Sequence, residues 1–245
     1  MKALIFAAGL GTRLKPLTDT IPKALVVVGR QPLLEHVIIK LKNGGFDDIV
    51  VNIHHFGDQI TDFLANNNNF GVKISISDER DLLRETGGGI KYAQPKLYPE
   101  YLSREPFLVH NVDIISNLDL KWFWTQHKSQ YLSTLLVSDR DTSRYLLFND
   151  DDILVGWTNL KTGEVKSPYS DLQVDQCKKM AFAGIHIISP LVFSLMNSWP
   201  EKFSIIDFYL SIADKYPIKG VQMPGLELVD VGTLDHLETL NNLNI

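Results

Sequence analysis

A chain of 245 residues, 44% of them hydrophobic, has room for one large α/β core, and no Pro/Gly/Ser-rich linker divides it. Its net charge of −5, with no basic tail or stripe, argues against a general nucleic-acid binder. No apolar run reaches the roughly 18 residues of a membrane span. The single cysteine, Cys177, cannot form an internal disulfide, which fits a reducing cytoplasm.

The first predicted element is an apolar strand over residues 3–7. It is too short and runs too directly into Gly11-Thr12-Arg13 to read as a signal peptide. The strand breaks into the turn Ala8-Gly9-Leu10-Gly11, which leads into Arg13, and Lys23 follows after Pro22. Glycines let backbone N–H groups approach an anion closely. The arginine and the lysine add charge suited to phosphates. Together they call for a polyphosphate, most simply a nucleoside triphosphate. A Walker A loop is excluded, because no Gly-Lys is followed by Ser or Thr here. The dinucleotide fingerprint is excluded too: Leu14 stands where its third glycine belongs, and Asn52 and His54 stand where it wants an acid.

Residues 32–42 carry apolar side chains at 33, 34, 37, 38 and 41, a helical stripe with Pro32 in its first turn and Gly44-Gly45 as its stop. A strand at 49–51, a helix at 59–64, a polar loop at 66–69 and an alternating strand at 72–76 follow. Thr86 opens a helix that runs through Ala93, and a buried strand at 107–109 ends in Asn111-Val112-Asp113. Alternating βα units predict a Rossmann-like, mostly parallel sheet flanked by helices. Short strands at 132–137, 145–148 and 153–155, then a polar, irregular stretch at 157–178, predict a small mixed-β insertion. Helices return at 190–196, 205–215 and 234–243. The fold class expected is α/β, as one domain over 1–245 with halves at 1–130 and 131–245.

Asp113 and Asp230 each follow a short apolar strand. Open α/β sheets bind ligands beyond the carboxyl ends of their strands. Two carboxylates there suit Mg²⁺, although either one alone also reads as a turn former or helix cap. The second glycine cluster, Glu85-Thr86-Gly87-Gly88-Gly89, is either a loop entering a helix or a surface for a nucleobase. Gly184, within a strand, marks a bulge or a close approach. Arg140, Arg144 and Lys166 read as phosphate partners or as solvated charges. His54, His55 and His110 read as structural. Trp122 and Trp124 read as core or interface. Cys177 has no activating neighbour, and no Gly-x-Ser-x-Gly elbow occurs.

The pattern G-x-G-T-R-L-x-P-L-T-x-x-x-P-K over residues 9–23 resembles the signature of sugar-1-phosphate nucleotidyltransferases. With about eight fixed positions at roughly 5–10% usage each, chance agreement is on the order of one in 10⁹. Asp230-Val231-Gly232-Thr233 resembles the family's C-terminal metal motif, and Asn111-Val112-Asp113 its Asn-Gly-Asp motif. Val112 replaces the usual glycine. A β-branched residue resists positive φ, so a local change of backbone is expected there. Residues 182–186 resemble the segment bordering the sugar, and residues 85–90 are similar to those of the muramate-phosphate uridylyltransferase branch.

The resemblance implies transfer of a nucleotidyl group, from UTP, to a sugar-1-phosphate of the N-acetylmuramate type in cell-wall recycling, with release of pyrophosphate. It implies catalytic roles for Arg13, Lys23, Asp113 and Asp230, with Mg²⁺ on the two aspartates. It further implies nucleotide contacts at Ala8, Gly9, Gly11, Thr12, Arg13, Lys23, Glu85 and Gly88, and sugar contacts at Asn111 and Gly184. A phosphate monoester, with its second pKa near ~6, is already largely dianionic at neutral pH, so no strong general base is needed. Two alternatives stay open. One is a guanylyltransferase for mannose-1-phosphate or heptose-1-phosphate. The other is a silent, sugar-nucleotide-binding regulatory subunit, against which the retention of all four catalytic residues argues. A cytoplasmic location, no membrane or nucleic-acid partner, an upstream sugar kinase and no following β-helix domain are also expected.

Overall fold

The computed structural model describes residues 1–98 and 105–237. The chain enters at the middle of a sheet. Strand β1 (Lys2–Phe6) lies between β4 (Asp48–Ile53) and β6 (Phe107–Asn111), parallel to both, with Leu4 opposite Val50 on one side and Val109 on the other. A central parallel strand is covered on both faces and reads as a continuous apolar run. Ala3, Leu4 and Ile5 are accordingly all fully buried. Strand β5 (Lys73–Asp78) pairs with β4 at the edge. A two-residue ladder, β2 (Val27–Val28) with β3 (Gln31–Pro32), leads into helix α1 (Leu33–Asn43).

Alternation along the strands sorts the core into two layers. Ala3, Ile5, Ile49, Val51 and Leu108 face one side and meet α1, α2 (Gly57–Asn66) and α4 (Leu120–Gln126). Leu4, Val50, Phe107 and Val109 face the other side and meet α3 (Glu85–Leu97), α5 (Leu191–Leu195) and α6 (Ile205–Ile212). Period 2 in the strands and period 3.6 in the helices thus build three layers around one sheet. Trp122 and Trp124 pack against the first layer, Trp124 edge-on to Phe46 at 5.3 Å.

The second half extends this sheet. Strand β12 (Lys178–Ile188) runs antiparallel to β6 at its end and to β9 (Arg144–Phe148) at its start. β8 (Ser133–Ser138) also pairs with β12, and β13 (Ile218–Val221) pairs parallel to β8. Outside β9 lie β10 (Leu154–Asn159) and β11 (Glu164–Lys166). The expected mixed-β region is therefore joined edge to edge with the parallel part. The polar stretch expected to be irregular contains the end of β10 and all of β11. Its side chains alternate across an edge hairpin that water reaches, so the apolar signal is weak.

A separate ribbon pairs β7 (Ile114–Ser116) with β14 (Leu228–Asp230), Ile114 opposite Asp230. It carries the C-terminal motif back to the end of β6. The expected helix at 234–243 is helical over 234–237, and the rest lies outside the described residues. No helix among the described residues is long and apolar enough to cross a membrane.

Candidate active site

A cavity of about 420 Å³ opens at the carboxyl ends of β1, β5 and β6. The glycine loop, Lys23, Glu79, Glu85, Asn111 and Asp113 line it. This is where an open α/β sheet places its ligand.

The glycine loop after β1 is a series of tight 3-10 turns at Thr12–Leu14, Leu17–Asp19 and Lys23–Leu25. Gly11 has φ 64°, and its carbonyl accepts from Leu14 N at 2.8 Å and from Thr18 Oγ1 at 2.8 Å. A Cβ there would lie 2.8 Å from Thr18 Cγ2, so both conformation and space require glycine. Gly9 has nothing within 4 Å of where its Cβ would be. Ala8 lines the cavity, yet its N–H does not face a ligand. Ala7 N and Ala8 N donate to Asn52 Oδ1 at 2.6 and 3.1 Å.

The two aspartates come together through the β7–β14 ribbon. Val231 N donates to the carbonyl of Asp113 at 2.8 Å. The Lys23 ammonium forms an ion pair with Asp113 Oδ2, the two side chains being only 10% and 20% exposed. Asp230 Oδ1 is buried with no hydrogen-bond partner among the described residues. A buried anionic oxygen without a donor is costly and calls for a cation. A Cβ on Gly232 would lie 2.7 Å from Arg13 Nη2 and 2.8 Å from Asp230 Oδ1. Arg13, Lys23, Asp113 and Asp230 are thus neighbours in one site. This donor set fits Mg²⁺, which takes one or two protein carboxylates and fills its octahedron with phosphate oxygens and water.

Val112 does not disturb the motif. It is not among the residues with positive φ, its N–H donates to Phe6 O at 3.1 Å, and its side chain is buried in the first core layer. The turn accepts a β-branched residue here without left-handed strain.

The second glycine cluster has a different reason. Gly87 N and Gly88 N donate to Phe203 O at 2.9 and 3.2 Å. A Cβ on Gly88 would lie 2.1 Å from Glu201 O. The start of α3 packs flat against residues 201–203, and only glycine permits it. Glu85 and Thr86 line the central cavity, whereas Gly88 borders another cavity beside Ser77 and Arg84. The structure therefore does not bring Gly88 to the face expected for the base. Glu85 holds φ 60°, an unusual conformation for a residue with a side chain, and is exposed to the cleft.

Gly184, with φ 74°, sits at a bulge of β12. A Cβ there would lie 2.7 Å from Asn111 Nδ2. The bulge is present, and the group approaching Gly184 is the Asn111 side chain rather than a ligand or another backbone. Gly184 thus seats Asn111, which in turn lines the cavity.

Two residues were not singled out from the sequence as site residues. Asn52 and Glu79 are 2% and 1% exposed, and Asn52 Nδ2 donates to Glu79 Oε1 at 3.0 Å. Burial pushes the Glu79 carboxyl above its usual range, against the hydrogen bonds from Asn52 and Arg84 N. Asn52 so links the glycine loop to the wall opposite. Glu79 follows β5 as Asp113 follows β6, and that position was the available signal. Asn52→Ala would leave two buried N–H groups and one carboxyl oxygen unpaired. At about 1–3 kcal/mol per orphaned group, partly relieved by relaxation, we expect a loss of roughly 2–4 kcal/mol in urea unfolding. An unchanged midpoint would show that the loop is held elsewhere.

Two of the histidines lie in the core. His110 is fully buried, bonded through Nδ1 to Asn111 O at 2.8 Å, and burial pushes its pKa down to about 4. His186 is buried beside the Tyr209 hydroxyl at 3.0 Å. His54 is half-buried.

Residues 2–152 match the family model for nucleotidyl transferases. The chain belongs to that family and is a sugar-1-phosphate nucleotidyltransferase. It is 44% identical over 119 residues, 49% of either chain, to the N-acetylmuramate alpha-1-phosphate uridylyltransferase of Neisseria meningitidis serogroup B, so the alignment spans about half of that relative. The enzyme of the same name from Caulobacter vibrioides is 30% identical over 233 residues, covering 91% of this chain and 89% of its own. Mannose-1-phosphate guanylyltransferase 1 of Arabidopsis thaliana is 40% identical over 235 residues, 95% of this chain and 61% of that protein. UDP-glucose pyrophosphorylase complexed with UDP-glucose shares the fold, with a TM-score of 0.76 at 17% identity over 99% of this chain and 97% of that one.

Proposed function

We propose that the enzyme joins UMP from UTP to N-acetylmuramate-1-phosphate and releases pyrophosphate. A nonbridging oxygen of the sugar phosphate attacks the α-phosphorus. The bond from that phosphorus to the bridging oxygen of the β-phosphate breaks, and its electron pair leaves with pyrophosphate. The attacking group is already anionic, so the protein's task is alignment and charge neutralisation. Arg13 and the N–H groups of Gly11 and Thr12 hold the triphosphate, with Gly9 and Glu85 on the nucleotide side. Lys23, already on Asp113, neutralises charge at the transfer centre. Asp113 and Asp230 would hold Mg²⁺, which when bound supplies charge neutralisation to the reacting phosphates. Asn111 meets the sugar. In this reading residues 1–130 grip the nucleotide, and residues 131–245 supply the sugar wall and the second carboxylate. The reading places the enzyme in the cytoplasm, after a kinase that makes the sugar-1-phosphate.

The observation that carries this reading is that Arg13, Lys23 and Asp113 line one cleft, with the Asp230 oxygen, partnerless among the described residues, beside Gly232 at its edge. The two uridylyltransferase relatives support the choice of base and sugar. A second reading, guanylyl transfer to mannose-1-phosphate, is favoured by the Arabidopsis relative at 40% identity. Pyrophosphate release, measured for four nucleoside triphosphates against a panel of sugar-1-phosphates with Mg²⁺, separates them. UTP with N-acetylmuramate-1-phosphate should give the highest kcat/KM. A preference for GTP with mannose-1-phosphate would replace the first reading by the second.

A further inference from the structure

A second cleft of about 510 Å³ opens between β9, β10, β12 and the start of α6. Two segments of its lining adjoin residues around the central cavity. Phe182 lines it, and two residues along β12 Gly184 seats Asn111 of the central cavity. Ser204 and Ile206 line it too, while the N–H of Ile205 donates to Thr86 Oγ1 at 3.0 Å, and Thr86 borders the central cavity. A sugar whose phosphate sits at Asp113 and Lys23 has this cleft beside it.

The charges of the cleft are unevenly matched. Lys166 is countered by Asp207 Oδ1 at 2.9 Å and by Glu164 Oε1 at 3.9 Å. Arg140 makes one long bond, from Nη2 to Phe182 O at 3.3 Å. The guanidinium of Arg144 has no hydrogen-bond or ion-pair partner among the described residues, its only bond being from its backbone N–H to Thr142 Oγ1. In a chain with 29 acidic and 24 basic residues, two arginines on one cleft wall have no carboxylate partner among the described residues. Trp157 and Phe182 give that cleft apolar sides. A guanidinium is a planar fork that matches a carboxylate with two parallel bonds. The phosphate of the substrate is provided for in the central cavity, so this wall suits a second anionic group on the same sugar. A muramate carries one, its lactyl carboxylate, and mannose does not.

We propose that Arg140 and Arg144 form a carboxylate subsite that selects acidic sugar-1-phosphates over neutral ones. This rests on the proposed nucleotidyl transfer to a sugar-1-phosphate. The test compares two matched pairs: N-acetylmuramate-1-phosphate against N-acetylglucosamine-1-phosphate, and mannuronate-1-phosphate against mannose-1-phosphate. For wild type and for Arg144→Gln and Arg140→Gln, kcat/KM is measured for each sugar, and calorimetric binding is measured in parallel for any sugar that is not turned over. Wild type should favour the acid within a pair by at least tenfold. Either Gln variant should reduce that ratio at least tenfold, and Arg144→Lys should restore part of it. Both arginines are exposed, so the variants fold. A wild-type preference for the neutral sugar in both pairs, or an unchanged ratio in both Gln variants, overturns the subsite. An acid preference confined to the mannuronate pair keeps the subsite and overturns muramate as the substrate.

Discussion

Asp230→Asn is expected to lower kcat by about 10³-fold or more while leaving the protein as stable as wild type, or more so. The two effects have one cause. Asp230 Oδ1 is buried without a partner, which costs folding free energy. The same oxygen is a ready cation ligand, and loss of several kcal/mol of metal-borne charge neutralisation corresponds to about three decades in rate. The amide keeps the shape and removes the charge. Pyrophosphate-release kinetics and urea unfolding of the same preparation read the two effects. A variant that kept a tenth of the activity would take the Asp230 carboxylate out of the reaction, and a clear loss of stability would show that the oxygen has a structural partner.

Arg13→Ala is expected to lower kcat by about 10²-fold, with a smaller rise in KM for the nucleoside triphosphate. Removing one donor aimed at developing charge typically costs that much. The side chain is exposed on its loop and reaches Gly232 beside Asp230, so its loss should leave the core intact. A larger effect on kcat than on KM marks an interaction strengthened in the transition state. If only KM rises, Arg13 anchors the ground state and nothing more.

What could be read in advance follows from how local the physics is. The first βα units were legible because each strand is short, apolar and followed by a periodic helix. Arg13, Lys23, Asp113 and Asp230 were singled out because residues 9–23, 111–113 and 230–233 resemble a family signature, and the structure places these four residues near one another. Asn52 was noticed only as a residue that failed another motif. Its role is to join Ala7, Ala8 and Glu79 across 45 and 27 positions of chain, which no spacing rule reveals. Gly88 pointed to a base, but Glu201 is what fills the space beside it, and that contact is set by tertiary packing. The end of β10 and the whole of β11 were illegible for a plainer reason. An edge strand facing water, such as Glu164–Lys166, has no buried face to impose a pattern. Arg140 and Arg144 looked like ordinary surface charge until their lack of acidic partners was seen in three dimensions.

The strand β12 also constrains motion. Its first residues pair with β9 in the sugar wall, and its last pair with β6, which ends in Asn111. Strand β8 pairs with β12 on both sides of the bulge at Gly184, so continuous sheet joins the two clefts. The distance between the arginine wall and the phosphate loop is therefore set by the backbone of one strand rather than by domain closure.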